Sequence, residues 1–208
     1  MSYEVFAMTQ TFLEYMIQFL QEKQPEIVIE VGSDVQLERA FHFAPYCKTM
    51  YSVTLPEDCV RMAGWHDLGC GMSGIQNVNL IGSDATQLLS LVSHADVIFL
   101  HNVLLDGNNG YDTSLMWKYN RDELPCSETD WFALVKRFHS TEEKAYKGFL
   151  EVAKPGYIIS FNRAELGAGL RKRFVQNVGI KPTQIETIPL FYETGDKELW
   201  EASVIHNL

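Results

Sequence analysis

Apolar and polar positions along this chain switch between two periods, which predicts helices and strands in alternation. Residues 9–24 carry apolar side chains at helical spacing, so we predict an amphipathic helix that ends at Pro25. The run that follows, 26–31, is apolar and rich in β-branched residues, which is typical of a buried parallel strand. Gly32 and its neighbours then turn the chain toward a second helix.

The same pattern continues to the end of the chain. We predict helices over 35–43, near 58–63 and over 84–93, a helix that follows 127–130 and runs to about 152 with a break near His139 and Ser140, and a helix over 166–178. Further strands are predicted over 49–54, 77–81, 96–100, 157–161, 183–190 and 201–206. The last two strands are joined by a loop short enough for an antiparallel pair. The fold class is therefore α/β: a doubly wound, mostly parallel seven-stranded sheet with helices on both faces and a C-terminal antiparallel strand pair.

One long connector interrupts this alternation. Residues 101–128 are polar, contain the run Gly107–Gly110, and carry the large aromatic residues Trp117 and Tyr119. Connectors of this length are usually functional lids or mobile segments. We therefore predict a single domain over residues 1–208 with a lid-like insertion at about 101–128, the alternative being an ordered loop with its aromatics in a minor core.

Composition and charge narrow the function classes. The chain has 208 residues, 46% hydrophobic and 21% charged, which is ordinary for a globular domain. Its net charge of −10 repels phosphate backbones, so a nucleic-acid partner is not expected, and the basic run Arg171–Arg173 is interpreted as a solvated helix face. No apolar run is long enough to span a bilayer, and the N-terminal stretch around Glu4 does not resemble a signal peptide. We expect a cytoplasmic protein without a membrane partner.

Cysteine and histidine spacing gives no metal signature. The four cysteines are Cys47, Cys59, Cys70 and Cys126, and no two of them have C-x-x-C spacing. His66 and Cys70 lie four residues apart, but two ligands do not make a metal site. We therefore expect reduced, partly buried thiols and no bound metal.

Ligands of open α/β sheets bind beyond the carboxyl ends of the strands, and polar residues cluster at four such ends. The candidate site residues are Glu30, Gly32, Ser33 and Asp34 after the first strand, Thr54 after the second, Ser83, Asp84 and Ala85 after the third, and His101 after the fourth. Several of them also suit structural roles, because glycine permits a tight turn and Ser33, Asp34 or Asp84 can cap the helix that follows.

In this order and spacing, these residues resemble the class I S-adenosylmethionine-dependent methyltransferases. Glu30 and Gly32 match the family's acid and the first glycine of its glycine-rich loop. The turn 82–85 resembles the turn that contacts the adenine, and the turn 154–156 resembles the one before the fifth strand. The resemblance covers residues 9–206. It implies S-adenosylmethionine as cofactor, bound by the candidate residues given above, and methyl transfer to a small-molecule or protein acceptor.

The chain also departs from the family pattern. Asp34 and Gln36 stand where the loop usually has further glycines. Thr54 or Leu55 stands where an acid usually binds both ribose hydroxyls. These departures support the alternative of a methyltransferase-like, non-catalytic binding or scaffold protein that has lost the cofactor. A nicotinamide oxidoreductase is disfavoured, because the first turn lacks G-x-G-x-x-G.

Methyl transfer needs alignment more than a fixed catalytic triad, because the cofactor supplies the reactive carbon. A base helps where the acceptor is a hydroxyl or an amine. His101 is the best-placed candidate for this catalytic role, with Asp106 and Glu193 behind it. The alternative for His101 is a structural histidine with its hydrogen bonds satisfied.

Overall fold

The computed structural model describes residues 11–34, 36–101, 128–191 and 199–208. The helices are α1 Phe12–Lys23, α2 Glu38–Phe43, α3 Pro56–Ser73, α4 Leu88–Leu91, α5 Glu128–Val152 and α6 Ala164–Arg173. The strands are β1 Ile27–Val31, β2 Thr49–Thr54, β3 Val78–Gly82, β4 Val97–His101, β5 Gly156–Arg163, β6 Ile185–Leu190 and β7 Trp200–Asn207. The predicted insertion at about 101–128 lies almost wholly outside the described residues.

The strands form one seven-stranded sheet in the order β3-β2-β1-β4-β5-β7-β6. β1 to β5 pair in parallel, whereas β7 pairs antiparallel with both β5 and β6. The predicted fold class is therefore confirmed. The carboxyl ends of β1 to β5 lie along one edge of the sheet, which is where the candidate residues were placed.

Each face of the sheet has its own apolar core. On one face α1 and α2 pack against the sheet, with Phe12, Phe43 and Phe99 among the buried side chains. On the other face α5 packs against the sheet, with Tyr146 and Phe149 fully buried. Burial on both faces explains why the central strands are continuous apolar runs.

Local signals set the first helix. The Thr11 hydroxyl accepts the Glu14 amide at 3.3 Å, and the Glu14 carboxylate accepts the Thr11 amide at 2.7 Å, which forms a capping box. α1 ends at Lys23, and its C-cap residue Gln24 adopts left-handed backbone angles before Pro25. The predicted end of this helix is therefore confirmed within a residue.

Several predicted helix limits were wrong. α2 begins at residue 38 rather than 35, and the helix predicted over 84–93 is a 3₁₀ turn, Ala85–Gln87, followed by the short α4. α3 spans 18 residues rather than the six near 58–63, because its glycines do not break it. α5 is continuous past His139, so the predicted break is absent. The helix predicted to Val178 ends at residue 173 and continues as a π turn, with left-handed Gly179 beyond it.

Among the described residues, no helix is both long enough and apolar enough to cross a bilayer. The expected cytoplasmic location and the single domain over residues 1–208 remain predictions.

Candidate functional site

Gly32 makes the turn that leaves β1. Its φ of +78° lies in the left-handed region that side chains other than glycine disfavour. Its amide donates to the carbonyl of Val53 at 2.9 Å, so the turn is tied to the end of the neighbouring strand β2. The glycine predicted from the sequence is thus required by the backbone itself.

Glu30 lies in β1, two residues before Gly32, and is fully buried. Its carboxylate accepts the Nε of Arg39 at 2.9 Å and the Ser52 hydroxyl at 3.1 Å. The Ser33 hydroxyl in turn forms a hydrogen bond with that of Ser52. Burial raises the pKa of Glu30, and the charge of Arg39 opposes the rise. Glu30 is therefore not a solvated strand-end carboxylate, but one locked to a cation.

Arg39, near the start of α2, is the residue that sequence reasoning missed. Besides Glu30, its guanidinium contacts the carbonyl of Gly32 at 3.5 Å and the Asp34 carboxylate at 3.4 Å. One side chain thus ties the end of β1, the glycine turn and the entry to α2 together. The available signal was a cation five residues after Asp34 and nine residues after Glu30, the two acids that flank Gly32.

Asp34 replaces a family glycine and organises the entry to α2. Its carboxylate accepts the amides of Gln36 at 3.1 Å and Glu38 at 3.0 Å. Leu37 adopts left-handed angles between them, with φ of +59°. The N-cap position of α2 is Leu37 rather than the predicted Ser33 or Asp34, but the Asp34 carboxylate still satisfies free amides at the start of the helix, which is favourable.

The second group of candidates lies at the ends of β2 and β3. The Ser83 amide donates to the carbonyl of Thr54 at 2.7 Å, and the Thr54 side chain is buried. Asp84 accepts the Thr86 amide at 2.7 Å through Oδ1 and caps the 3₁₀ turn that includes Ala85. This is the capping role that the sequence offered for Asp84, and the second carboxylate oxygen points to no described donor.

β2 ends at Thr54 without an acidic residue, so the structure keeps the departure from the family's ribose-binding acid. Of the two acids just beyond, Glu57 is exposed in the first turn of α3, and Asp58 pairs with Arg61 on the same helix. Thr54 and Ser52 are buried on β2, and the Ser52 hydroxyl bonds that of Ser33.

His101 ends β4 and lies on the same face of the sheet as Glu30, because Phe99 is the register partner of Glu30 and side chains alternate along a strand. Its ring packs 5.3 Å from that of Phe12 and 5.2 Å from that of Phe161, measured between centroids. Burial, helped by the charge of Arg39, lowers the pKa of His101 to about 3. The imidazole is therefore neutral near pH 7.

The structure brings the two groups of candidates to adjacent strand ends. Glu30, Gly32 and Asp34 surround Arg39, whose charge reaches His101, while Thr54 and Ser83–Ala85 lie across β2. Asp106, Glu193, Trp117 and Tyr119 lie outside the described residues, and so does Cys126. Within the described ranges, no three His, Cys, Asp or Glu side chains are grouped to hold a metal ion.

The pair His66 and Cys70 has a structural explanation. The Nε2 atom of His66 lies 2.9 Å from the carbonyl of Val78, and the thiol of Cys70 lies 3.8 Å from that nitrogen. Both residues belong to α3, and the histidine fastens this helix to β3. Cys47, Cys59 and Cys70 are free and partly buried, as expected, and burial raises the pKa of Cys47 to about 11.

The basic run 171–173 is not a solvated face, so that interpretation was wrong. Arg171 pairs with the buried carboxylate of Glu201, and Arg173 pairs with that of Glu142 through two hydrogen bonds of 2.9 and 3.0 Å. Burial raises the pKa of Glu142, an effect that Arg173 partly offsets. Both arginines thus fasten α6 to its neighbours, β7 and α5.

No protein-family model matches this sequence, and no curated protein is significantly similar to it. Solved structures do resemble its fold. An rRNA methylase from Streptococcus thermophilus superposes with a TM-score of 0.59 at 12% identity, covering 96% of this chain and 99% of its own. The N-methyltransferase NodS from Bradyrhizobium japonicum WM9, in complex with S-adenosyl-L-homocysteine, gives 0.55 at 12% identity, with 99% and 93% covered.

A precorrin-6y C5,15-methyltransferase from Geobacter metallireducens gives a TM-score of 0.56 at 8% identity, covering 93% of this chain and 86% of its own. The three proteins share the sheet architecture with this chain over almost its whole length, although their sequences have diverged widely from it. The resemblance inferred from the strand-end residues is thus matched by the fold as a whole. The chain has the fold of the class I S-adenosylmethionine-dependent methyltransferases.

Proposed function

We propose that this protein is an S-adenosylmethionine-dependent methyltransferase that binds its cofactor beyond the carboxyl ends of β1 to β4. The observation that carries the proposal is the glycine turn after β1, left-handed at Gly32 and held by Arg39. It lies beside the Ser83–Asp84 turn, across the end of β2. A preformed backbone turn at this edge of a doubly wound sheet is where such folds bind nucleotide-like ligands.

The residues present fit this cofactor at two of its three parts. Gly32 has no side chain to keep a ligand from its backbone, and Asp84 keeps one carboxylate oxygen for an amino group while the other caps the turn. At the ribose, hydroxyls replace the usual acid, so we expect a weaker grip there. When bound, S-adenosylmethionine supplies an electrophilic methyl group on a sulfonium.

His101 suits a hydrogen bond to the methyl acceptor better than proton removal. A base is most effective when its pKa lies near the working pH, and the pKa of His101 is about 3. The rings of Phe12 and Phe161 hold the imidazole and exclude water from one side of it. We therefore retain His101 as a catalytic residue that orients the acceptor, a small molecule or a protein.

Calorimetric titration with S-adenosylmethionine and S-adenosylhomocysteine tests the proposal. Gly32→Val places a branched side chain where the backbone must approach the cofactor, and binding should be lost. Gly74→Val is the matched control, because Gly74 also has a left-handed φ, of +70°, but lies at the far end of α3. Equal affinity in the wild type and Gly32→Val would show that this turn is not the site.

Asp84 gives a graded test of the adenine end. A hydrogen bond to a charged group is worth about 1.5–3 kcal/mol, so Asp84→Ala should weaken binding roughly tenfold to a hundredfold. Asp84→Asn is the control, because asparagine caps as well as aspartate does. If Asp84→Ala unfolds more easily than the wild type but binds the cofactor equally well, Asp84 acts as a cap alone.

The second candidate function is a methyltransferase-like binding or scaffold protein without the cofactor. It is favoured by Thr54 at the ribose position and by the guanidinium of Arg39, which spans the loop. Wild-type protein that binds neither form of the cofactor supports this candidate. Binding without methyl transfer to any acceptor would leave a cofactor-binding protein that is not an enzyme.

A further inference from the structure

Arg39 places a positive charge at the switch in strand order. β1 pairs with β2 on one side and with β4 on the other, and doubly wound sheets bind their ligands at such a switch. The guanidinium of Arg39 donates to Glu30 in β1 at 2.9 Å. Burial lowers the pKa of His101, the last residue of β4, and the charge of Arg39 lowers it further. Arg39 therefore lies within reach of both strand ends, beside the proposed cofactor site.

The two acids that flank Gly32 are already paired. Glu30 is 0% exposed, and its two carboxylate oxygens accept Nε of Arg39 at 2.9 Å and the Ser52 hydroxyl at 3.1 Å. Asp34 accepts two amides at the start of α2 through Oδ1, and its Oδ2 lies 3.4 Å from Nη1 of Arg39. A cation on a ligand would have to displace one of these partners to reach Glu30, and it would compete with Arg39 for Asp34.

The guanidinium is held on three sides. It donates to the Glu30 carboxylate and to the carbonyl of Gly32, it contacts Asp34, and 18% of its side chain is exposed. Without it, Glu30 would be a buried charge with no cation, which is costly. The three charged side chains therefore form an ion-pair network that is complete without a ligand.

S-adenosylmethionine joins adenosine to an amino-acid chain at its sulfur, and that chain ends in an ammonium and a carboxylate. We propose, on the basis of the function proposed above, that Arg39 takes the place of the ligand's ammonium at Glu30. Ligands then bind through their adenosine part, and the amino-acid chain adds little affinity. Glu30 holds Arg39 rather than the cofactor. The class of ligand that the site selects is an adenosine thioether, with or without an amino-acid chain.

Two ligands that share the adenosine thioether test this selection by calorimetric titration of the wild type. 5′-Methylthioadenosine lacks the amino-acid chain that S-adenosylhomocysteine carries. S-adenosylhomocysteine should bind no more than about tenfold tighter, because a charge-assisted hydrogen bond from its chain would add about that factor or more. A larger preference overturns the inference but leaves the proposed cofactor in place. If neither ligand binds, the proposed function is wrong as well.

Removal of Arg39 should create the missing preference. In Arg39→Ala the Glu30 carboxylate loses its cation and can pair with the ammonium of S-adenosylhomocysteine. This ligand should then bind more than about tenfold tighter than 5′-methylthioadenosine. The ratio compares two ligands on one variant, so a general loosening of the turn cancels. A folded Arg39→Ala variant without this preference overturns the inference. Where Arg39→Ala is too unstable to titrate, the comparison in the wild type decides.

Two variants serve as controls for this gain. Glu30→Gln combined with Arg39→Ala removes the carboxylate as well, so the two ligands should again bind alike. Lys48→Gln removes a cation from the opposite edge of the sheet, where Lys48 pairs with Glu26 before β2 begins, and it should keep the ratio of the wild type. A preference that survives in the double variant would mean that Glu30 is not the acid that Arg39 shields, which also overturns the inference.

Discussion

At the scale of single residues, burial decides what the side chains at the strand ends can do. His101 packs against the stacked rings of Phe12 and Phe161 and feels the charge of Arg39, so its protonated form is disfavoured by both desolvation and charge. Glu30 is buried as well, but its partner Arg39 holds it in place. At this edge of the sheet, the imidazole of His101 is therefore neutral near pH 7 and the Glu30 carboxylate is paired with a cation.

His101 should make the stability of the protein depend on pH. Its pKa in the folded state is about 3, below the ordinary value of 6.5, so only the unfolded chain takes up this proton between those values. Stability from this group is present above pH 6.5 and is lost as the pH falls, by about 1.4 kcal/mol per unit. In urea titrations from pH 7 to pH 4.5, His101→Gln and His101→Phe should show a shallower fall than the wild type. Parallel curves for all three would contradict the assignment.

Asn162 illustrates a buried polar group of another kind. It is 1% exposed at the end of β5, and neither polar atom of its amide has a hydrogen-bond partner among the described residues. An unsatisfied buried amide costs about 1–3 kcal/mol, so Asn162→Leu should leave the free energy of unfolding unchanged or raise it. Urea unfolding measures this directly. A loss of more than about 1 kcal/mol would mean that water or another group bonds the amide in solution.

The residues found from the sequence are those with a local signal. Gly32 and Asp84 were found because a turn and a cap each depend on a few neighbouring positions. The prediction that Arg171 and Arg173 face solvent was wrong, because their partners Glu201 and Glu142 lie about 30 residues away along the chain. Pairings over such distances follow from the packing of whole elements, which periodicity does not specify.

At the scale of elements, the periodicity located every strand of the sheet within two residues but misjudged helix lengths. α3 was predicted as a short segment because its glycines resemble breaks. In the structure a methyl group added at Gly69 would overlap the ring of Phe41 in α2, whereas Gly64 and Gly71 are exposed to solvent. α5 was predicted to break near His139, yet it packs as one helix. Contacts with other elements override weak local preferences in both cases.

The link between α5 and α6 gives a prediction at this scale. Glu142 is 2% exposed and Arg173 is 20% exposed in their side chains, and the pair joins the two helices. Arg173→Met leaves a buried carboxylate without its cation, which should cost about 3–5 kcal/mol. The double variant Glu142→Leu with Arg173→Met should recover most of this loss in chemical unfolding experiments. A single variant as stable as the wild type would show that the pair contributes little.

For the molecule as a whole, alternation of helix and strand was enough to predict the fold class. The pattern of apolar and polar positions did not predict the order of the strands, because β7 inserts between β5 and β6 through contacts between distant parts of the chain. The candidate site was located for the same reason as the fold, since parallel strands bring their carboxyl ends to one edge. The detailed geometry of the candidate site was not predicted, because it depends on the contacts of Arg39 and on the rings that pack against His101.

The charge of the whole molecule leads to the last prediction. One of the structural neighbours is an rRNA methylase, yet this chain has 27 acidic and 17 basic residues. In the basic run 171–173, Arg171 is paired with Glu201 and Arg173 is paired with Glu142. Of this run, Lys172 is the residue left to bind phosphates. RNA binding through phosphates needs several free cations and weakens steeply with salt. In gel-shift and fluorescence anisotropy titrations with duplex and single-stranded RNA at physiological salt, we therefore expect no binding below about 100 μM. The matched variant Glu142→Gln with Glu201→Gln frees both arginines and should increase RNA retention at low salt. Tight, salt-dependent binding by the wild type would contradict this prediction and make RNA the first acceptor to test.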